Sequence, residues 1–299
     1  MKYEKVPFSI EDQLSLLENE RKLIIKDSDR ARKYLESIGY YRLSAYMFHL
    51  QVKDGSHIFN EGTDFNEIIR YYKFDQQLRI IFLTYLERIE VRLRAALTNQ
   101  FSINHGFFWY QEKDLYASLK TYDIVCSEIE KNFIKAKERY IKSYIKTYTS
   151  ENSLPSNMAL QTLTFGSLSR LYKGLKNNTE KMAIAKSFEL PSPILSSWFI
   201  YLNNVRNVCA HFGRLWNRRL TADQPKIPTR QKYKFNGELP KKFNNSLYGM
   251  ISLIDRLLAS FNPQNQFLDR VLDLIDEYSD IIDVKFMGFA DDWEENPPW

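Results

Sequence analysis

The chain has 299 residues, enough for one large domain or two of average size. Its 44% hydrophobic and 26% charged residues exclude a chain too polar to fold, and no apolar run reaches the roughly 20 residues that span a membrane. The net charge of +5 hides an asymmetry: residues 206–242 hold ten basic side chains against Asp223 and Glu238, whereas from Asp269 onward ten acids face only Arg270 and Lys285.

With 10 Gly and 10 Pro, turns are scarce and long helices are expected. Residues 11–25 carry Leu14, Leu17 and Ile24 among charges and read as a first helix. Ser28-Asp29 caps a second, which stops at Gly39. An aromatic-rich helix is predicted over 40–51, then a loop at Lys53-Asp54-Gly55-Ser56. Thr63 or Asp64 starts the strongest helix, where Leu78, Phe82, Leu86, Ile89, Leu93 and Leu97 recur at three- and four-residue steps. Arg79, Glu87, Glu90 and Arg94 fall away from the centre of that stripe. One helix is predicted over 113–148; Tyr140, Tyr144 and Tyr148 step by four among its bases, which reads first as core packing and second as base stacking. Pro155 opens the next segment, Gly166 and Gly174 punctuate it, and Asn178-Thr179 caps a helix reaching Phe188. Pro191 and Pro193 start a helix with Leu195, Trp198, Phe199, Leu202, Val205 and Cys209 on one face and a stop signal at Gly213. A basic, Pro-containing loop follows Leu220, and helices over 243–260 and 264–282 finish the chain. The fold class expected is all-α, a multi-helix bundle in one body.

Several chemistries lack their signature. There is no Gly-rich phosphate loop, no H-E-x-x-H and no G-x-S-x-G. Cys126 and Cys209 make neither a disulfide framework nor a zinc site, so no metal or other cofactor is expected. Met1-Lys2-Tyr3-Glu4-Lys5 lacks the apolar core of a signal peptide, and a reducing cytoplasm is the expected location. The acidic C-terminal stretch reads as a solvated face, with cover for the basic segment or mimicry of nucleic acid as sharper alternatives.

The segment Asn203-Asn204-Val205-Arg206-Asn207-Val208-Cys209-Ala210-His211 carries the chemistry. Only His49, His57, His105 and His211 occur, and only His211 has an Arg and an Asn beside it at the end of an apolar helix. Those groups suit phosphate binding, imidazole orientation and proton transfer. The plain alternative is a surface Arg in a helix ion pair and a His satisfied at the helix end. At about 100° per residue, Asn207 and His211 share a face, whereas Arg206 and His211 lie roughly 140° apart. They converge only through long Arg reach, an opened helix end or a second copy of the helix in a symmetric dimer. The expected reaction is RNA cleavage by its own 2′-hydroxyl: an imidazole takes that proton, the same ring or its mate protonates the leaving 5′-oxygen, and Arg206 stabilises the phosphorane-like charge. DNA is then immune. Candidate RNA contacts are Arg42, Arg79, Arg88, Arg214, Arg218, Arg219, Lys226, Arg230 and Lys232, with Glu87 and Glu90 as supports; Arg42, Arg79, Glu87, Arg88 and Glu90 read first as helix-surface ion pairs and second as cleft or RNA residues.

Three stretches resemble the abortive-infection (Abi) family of bacterial anti-phage proteins, of the AbiD/AbiF-like kind. They are Gly39-Tyr40-Tyr41-Arg42-Leu43-Ser44-Ala45-Tyr46; Phe74-Asp75-Gln76-Gln77-Leu78-Arg79 running into Leu86-Glu87-Arg88-Ile89-Glu90; and Val205-Arg206-Asn207 through His211, with Arg214-Leu215-Trp216-Asn217-Arg218 after it. That family looks like a branch of the HEPN superfamily, whose helical, commonly dimeric proteins carry an R-x(4–6)-H motif used in metal-independent RNA cleavage. Arg206 and His211 match it with four intervening residues, and Asn207 matches the frequent polar residue after the Arg. The resemblance implies a HEPN-type bundle over 22–219, with the basic loop 220–242 and acidic helices 243–299 outside it. It implies growth arrest on phage infection through RNA cleavage, a homodimer, and restraint by an antitoxin protein or a small regulatory RNA. The rival readings are a non-catalytic RNA-binding protein and a protein that acts by binding a phage or host protein.

Overall fold

The computed structural model describes every residue of the chain except Met1, Tyr3 and Lys5. Those three belong to the N-terminal stretch read above as lacking a signal-peptide core, so that reading lies outside the described residues. Among the described residues the chain is all-α, with twelve α-helices, three isolated β-bridges and no strand. In chain order the helices are α1 (Ile10–Ser15), α2 (Ser28–Ile38), α3 (Tyr40–Ser44), α4 (Phe65–His105), α5 (Leu119–Lys135) and α6 (Arg139–Thr147). They continue with α7 (Ser156–Ala159), α8 (Phe165–Gly174), α9 (Thr179–Ser187), α10 (Ser192–Ala210), α11 (Leu247–Ala259) and α12 (Phe267–Glu277). No helix among the described residues is long and apolar enough to cross a membrane.

The chain forms two compact units, Met1–Arg79 with Leu272–Asp283, and Ile80–Val271 with Val284–Trp299. In the first, α1 starts on a capping box between Ser9 and Asp12 and gives way to a π turn at Leu16–Glu20 instead of continuing to residue 25. The helix predicted over 40–51 is only α3, followed by a 3-10 turn at Phe48–Leu50. The Asp75 carboxylate is fully buried, accepts a hydrogen bond from Tyr46 at 2.6 Å and is ion-paired with the buried Arg79. The helix ion pair read first for Arg79 does form, four residues from Asp75, but inside the unit and not on its surface; at 4% exposed Arg79 has no face for the RNA contact read second. Arg70 pairs with Asp280 of the acidic stretch, at 2.7 Å through Nη2.

The second unit is built on aromatic packing. Trp109, Trp198, Trp216, Tyr110, Tyr172, Tyr201 and Tyr248 are all essentially inaccessible. The apolar stripe of α4 is as periodicity predicts, with Phe82, Leu86, Ile89, Leu93 and Leu97 fully buried. Arg94 of α4 holds the 3-10 turn at Leu160–Thr162, just after α7: its guanidinium donates to the Leu160 carbonyl at 2.9 Å and the Leu163 carbonyl at 3.1 Å, and pairs with Glu90 at 2.8 Å. The single helix predicted over 113–148 is divided. Ala136 takes a left-handed conformation (φ 39°) that ends α5, and α6 starts afresh at Arg139. Of its tyrosines, Tyr144 is buried as core packing requires, while Tyr140 and Tyr148 are exposed.

Candidate active site at the end of α10

α10 is fixed along its whole length. Pro191 occupies the N-cap and a second proline the first turn, where a missing N–H costs nothing. Leu195, Trp198, Phe199, Leu202, Val205 and Cys209 are all buried to 1% exposure or less, the face that periodicity predicts. On the α8 side, Ser169 Oγ lies 3.2 Å from the Phe199 carbonyl. The Asn203 amide packs so tightly on Gly166 that a Cβ there would meet it at 3.1 Å.

The helix ends in a paired motif. Gly213 N–H donates to the Val208 carbonyl at 2.8 Å and Phe212 N–H to the Cys209 carbonyl at 3.1 Å. These are the two bonds of a Schellman stop, which needs a left-handed residue at the position after the cap. That residue is Phe212, at φ 57°, while Gly213, the stop signal of the sequence, supplies one of the two bonds. Gly213 comes next, and a Cβ there would stand 3.2 Å from the Val208 carbonyl oxygen. The stop leaves His211 as the C-cap residue, with its N–H on the Asn207 carbonyl at 3.0 Å and its side chain exposed.

Arg206 and Asn207 are half-buried one turn earlier. Among the described residues, no hydrogen bond or ion pair engages the Arg206 guanidinium, the Asn207 amide or the His211 ring. Helix geometry keeps Asn207 beside His211 and turns Arg206 roughly 140° away. Arg218 returns to this end: its Nη1 donates to the Arg214 carbonyl at 3.4 Å and lies 3.4 Å from where a Gly213 Cβ would be. Among the described residues, no group of three or more His, Cys, Asp or Glu is placed to hold a metal ion.

The basic loop runs back along α10. Asn204 Nδ2 donates to Asp223 Oδ2 at 3.2 Å, near the His211 end. Further on, Lys226 N–H donates to Ser197 Oγ at 3.0 Å while Trp198 Nε1 donates to the Lys226 carbonyl at 2.8 Å. Arg230 and Lys232 reach the N-terminal end, where with Pro191 and Pro193 they line one cavity. Nothing in the sequence gives this path, because it is fixed by backbone and tryptophan hydrogen bonds. Arg218, Arg219, Lys226, Arg230 and Lys232 are all exposed along this loop, and Arg214 is half-buried. Arg88 is exposed on α4, its guanidinium 4.6 Å over the Tyr85 ring. Arg42 is exposed on α3 of the first unit.

A family profile described as Abi-like protein matches residues 33–217, well over half of the chain. The chain belongs to the Abi-like protein family. The match ends within the turn that follows α10, so it takes in Arg206, Asn207 and His211 and leaves the basic loop outside. Membership ties this chain to abortive infection. No curated protein and no solved structure matches it.

Proposed function

We propose that this Abi-like protein is a HEPN-type endoribonuclease that cleaves RNA without a metal ion, using Arg206, Asn207 and His211. One observation carries the reading. Arg79, Arg94 and Lys181 are all engaged by carboxylate or carbonyl oxygens inside their units, whereas Arg206, Asn207 and His211 cluster at one helix end with no structural bond to make. Solvent can reach all three side chains, and none of them is tied to the fold by a bond, so they are open to a ligand.

In the proposed reaction the 2′-oxygen attacks the adjacent phosphorus while His211 takes its proton. The bond from phosphorus to the 5′-oxygen breaks, and an imidazolium returns a proton to that oxygen. The products are a 2′,3′-cyclic phosphate and a 5′-hydroxyl. Arg206 stabilises the added negative charge on the phosphorane-like centre, and Asn207 orients the ring or a phosphate oxygen. Because Arg206 points away from His211 on a single helix, a symmetric dimer is the arrangement that joins one protomer's guanidinium to its partner's imidazole. Arg218 and the loop cations Arg219, Lys226, Arg230 and Lys232 hold the RNA backbone along α10. An antitoxin protein or small RNA bound over this face would restrain the activity.

The test is purified protein with RNA in a chelator, read on a gel. Wild type cuts, a 2′-deoxy substitution at the scissile position blocks cutting, and His211→Ala and Arg206→Ala each slow it by about a hundredfold or more while keeping their helical signal. Cleavage that survives His211→Ala removes the site assignment. Salt-dependent binding with intact RNA would instead favour the non-catalytic RNA-binding reading.

A further inference from the structure

At the opposite end of α10, about 27 Å from His211 by helix rise, the second unit holds a cavity of about 820 Å³. That volume lies within the roughly 300–1,000 Å³ usual for small-molecule sites. Four cations from separate segments line it: Lys186 at the end of α9, Arg230 and Lys232 from the basic loop, and Arg256 from α11. Glu189 is the one acid on its wall among the described residues. Tyr233 and Met182 add an aromatic and a flexible apolar surface, and the Lys232 ammonium sits 5.5 Å over the Tyr233 ring.

Arg256 is the most informative of the four. It is half-buried, and among the described residues no carboxylate forms an ion pair with it, although the charge of Glu189 on the same wall favours its cation. Its guanidinium stacks 5.0 Å over Phe235 and donates one hydrogen bond, to the Lys234 carbonyl at 3.2 Å, which leaves most of its five donors open. Burial works against its charge. A desolvated cation fixed by stacking, facing a cavity with three more cations and one acid, is an anion site waiting for charge.

We propose that this cavity binds a 5′-phosphorylated nucleotide, its phosphates held by Lys186, Arg230, Lys232 and Arg256 and its base against Tyr233 and Met182. The nucleotide is either free or the phosphorylated 5′ end of an RNA chain; both present the same chemistry. This site is separate from Arg206 and His211 and stands whether or not those residues cleave RNA.

The experiment is calorimetric titration of the full chain with ATP and with adenosine. In parallel, anisotropy is measured on two fluorescent RNA oligonucleotides of one sequence, with 5′-triphosphate or 5′-hydroxyl ends, in the His211→Ala background. ATP or the triphosphorylated end is expected to bind saturably, and adenosine or the hydroxyl end at least about tenfold more weakly, the worth of one lost charge-assisted hydrogen bond. Preference confined to the RNA arm assigns the site to an RNA end; preference for ATP assigns it to a free nucleotide. The variant Arg230→Glu with Lys232→Glu changes only exposed side chains and is expected, with unchanged melting, to weaken ATP binding by about tenfold or more or to abolish the preference for the triphosphorylated over the hydroxyl end, a difference that contacts to the RNA backbone do not produce. No preference for phosphate in either arm, or a preference undiminished by the charge reversal, overturns the proposal.

Discussion

A buried charge needs groups that offset its lost hydration, and for Arg79 that group is the buried Asp75 carboxylate. Desolvating a guanidinium and a carboxylate costs several kcal/mol each, which their pairing and the hydrogen bond from Tyr46 to Asp75 offset. Burial, with Asp75 alongside, drives the Tyr46 hydroxyl well above the usual phenol range, so it stays a donor at any working pH. Arg79→Leu leaves the Asp75 carboxylate buried without its cation. The expected loss is about 3–5 kcal/mol, read as a lower midpoint in urea unfolding, with RNA affinity unchanged under conditions where the variant is folded. A variant of wild-type stability but weaker RNA binding would return Arg79 to the RNA surface. Its burial was legible in principle: Asp75, Arg79 and Phe82 fall at i, i+4 and i+7, opposite charges four apart beside an apolar stripe. Residue type alone puts such a pair on the helix surface, and only the apolar stripe beside it points to burial.

At the scale of elements, periodicity and caps located the helices that matter, and local backbone geometry decided what they missed. The buried faces of α4 and α10 and the caps at Asn178 and Pro191 follow directly from spacing and residue type. The break at Ala136 left no trace, because an alanine in a left-handed turn among lysines has the composition of a helix. The loop along α10 was equally hidden: no periodic signal links Lys226 to Ser197 and Trp198, or Lys186 and Arg256 to Arg230. At the α10 stop, Gly213 marks the right place and serves close approach, while the positive φ falls on Phe212, which nothing in the sequence signals. A left-handed conformation costs a residue with a Cβ about 1–2 kcal/mol, and glycine escapes most of it. Phe212→Gly and Phe212→Ala both remove the ring, but only glycine relieves the backbone. The glycine variant is expected to be about 1 kcal/mol more stable than the alanine variant by thermal or urea unfolding. Equal stabilities would mean that this turn carries no strain beside His211.

For the whole molecule, the proposed nuclease reading turns on whether one chain or two would make the active site. Five residues of helix separate Arg206 from His211 by roughly 140°, so a dimer that shares its sites draws the Arg from one protomer and the His from its partner. Mixing inactive variants tests this directly. In a mixed dimer of Arg206→Ala and His211→Ala protomers, one site loses both groups, while the other keeps a native Arg from the His211→Ala chain and a native His from the Arg206→Ala chain. Random exchange makes half of the dimers mixed, each with one of two sites intact, so activity should recover to about a quarter of wild type. The recovery should require time for subunit exchange and should fail below the concentration at which dimers dissociate. If the two variants, each folded and dimeric, exchange subunits and remain inactive, Arg and His must act within one chain. α10 would then have to open at the Phe212 turn to bring them together, and the Phe212→Gly variant, with its looser backbone, should show a changed cleavage rate that the shared-site arrangement does not require.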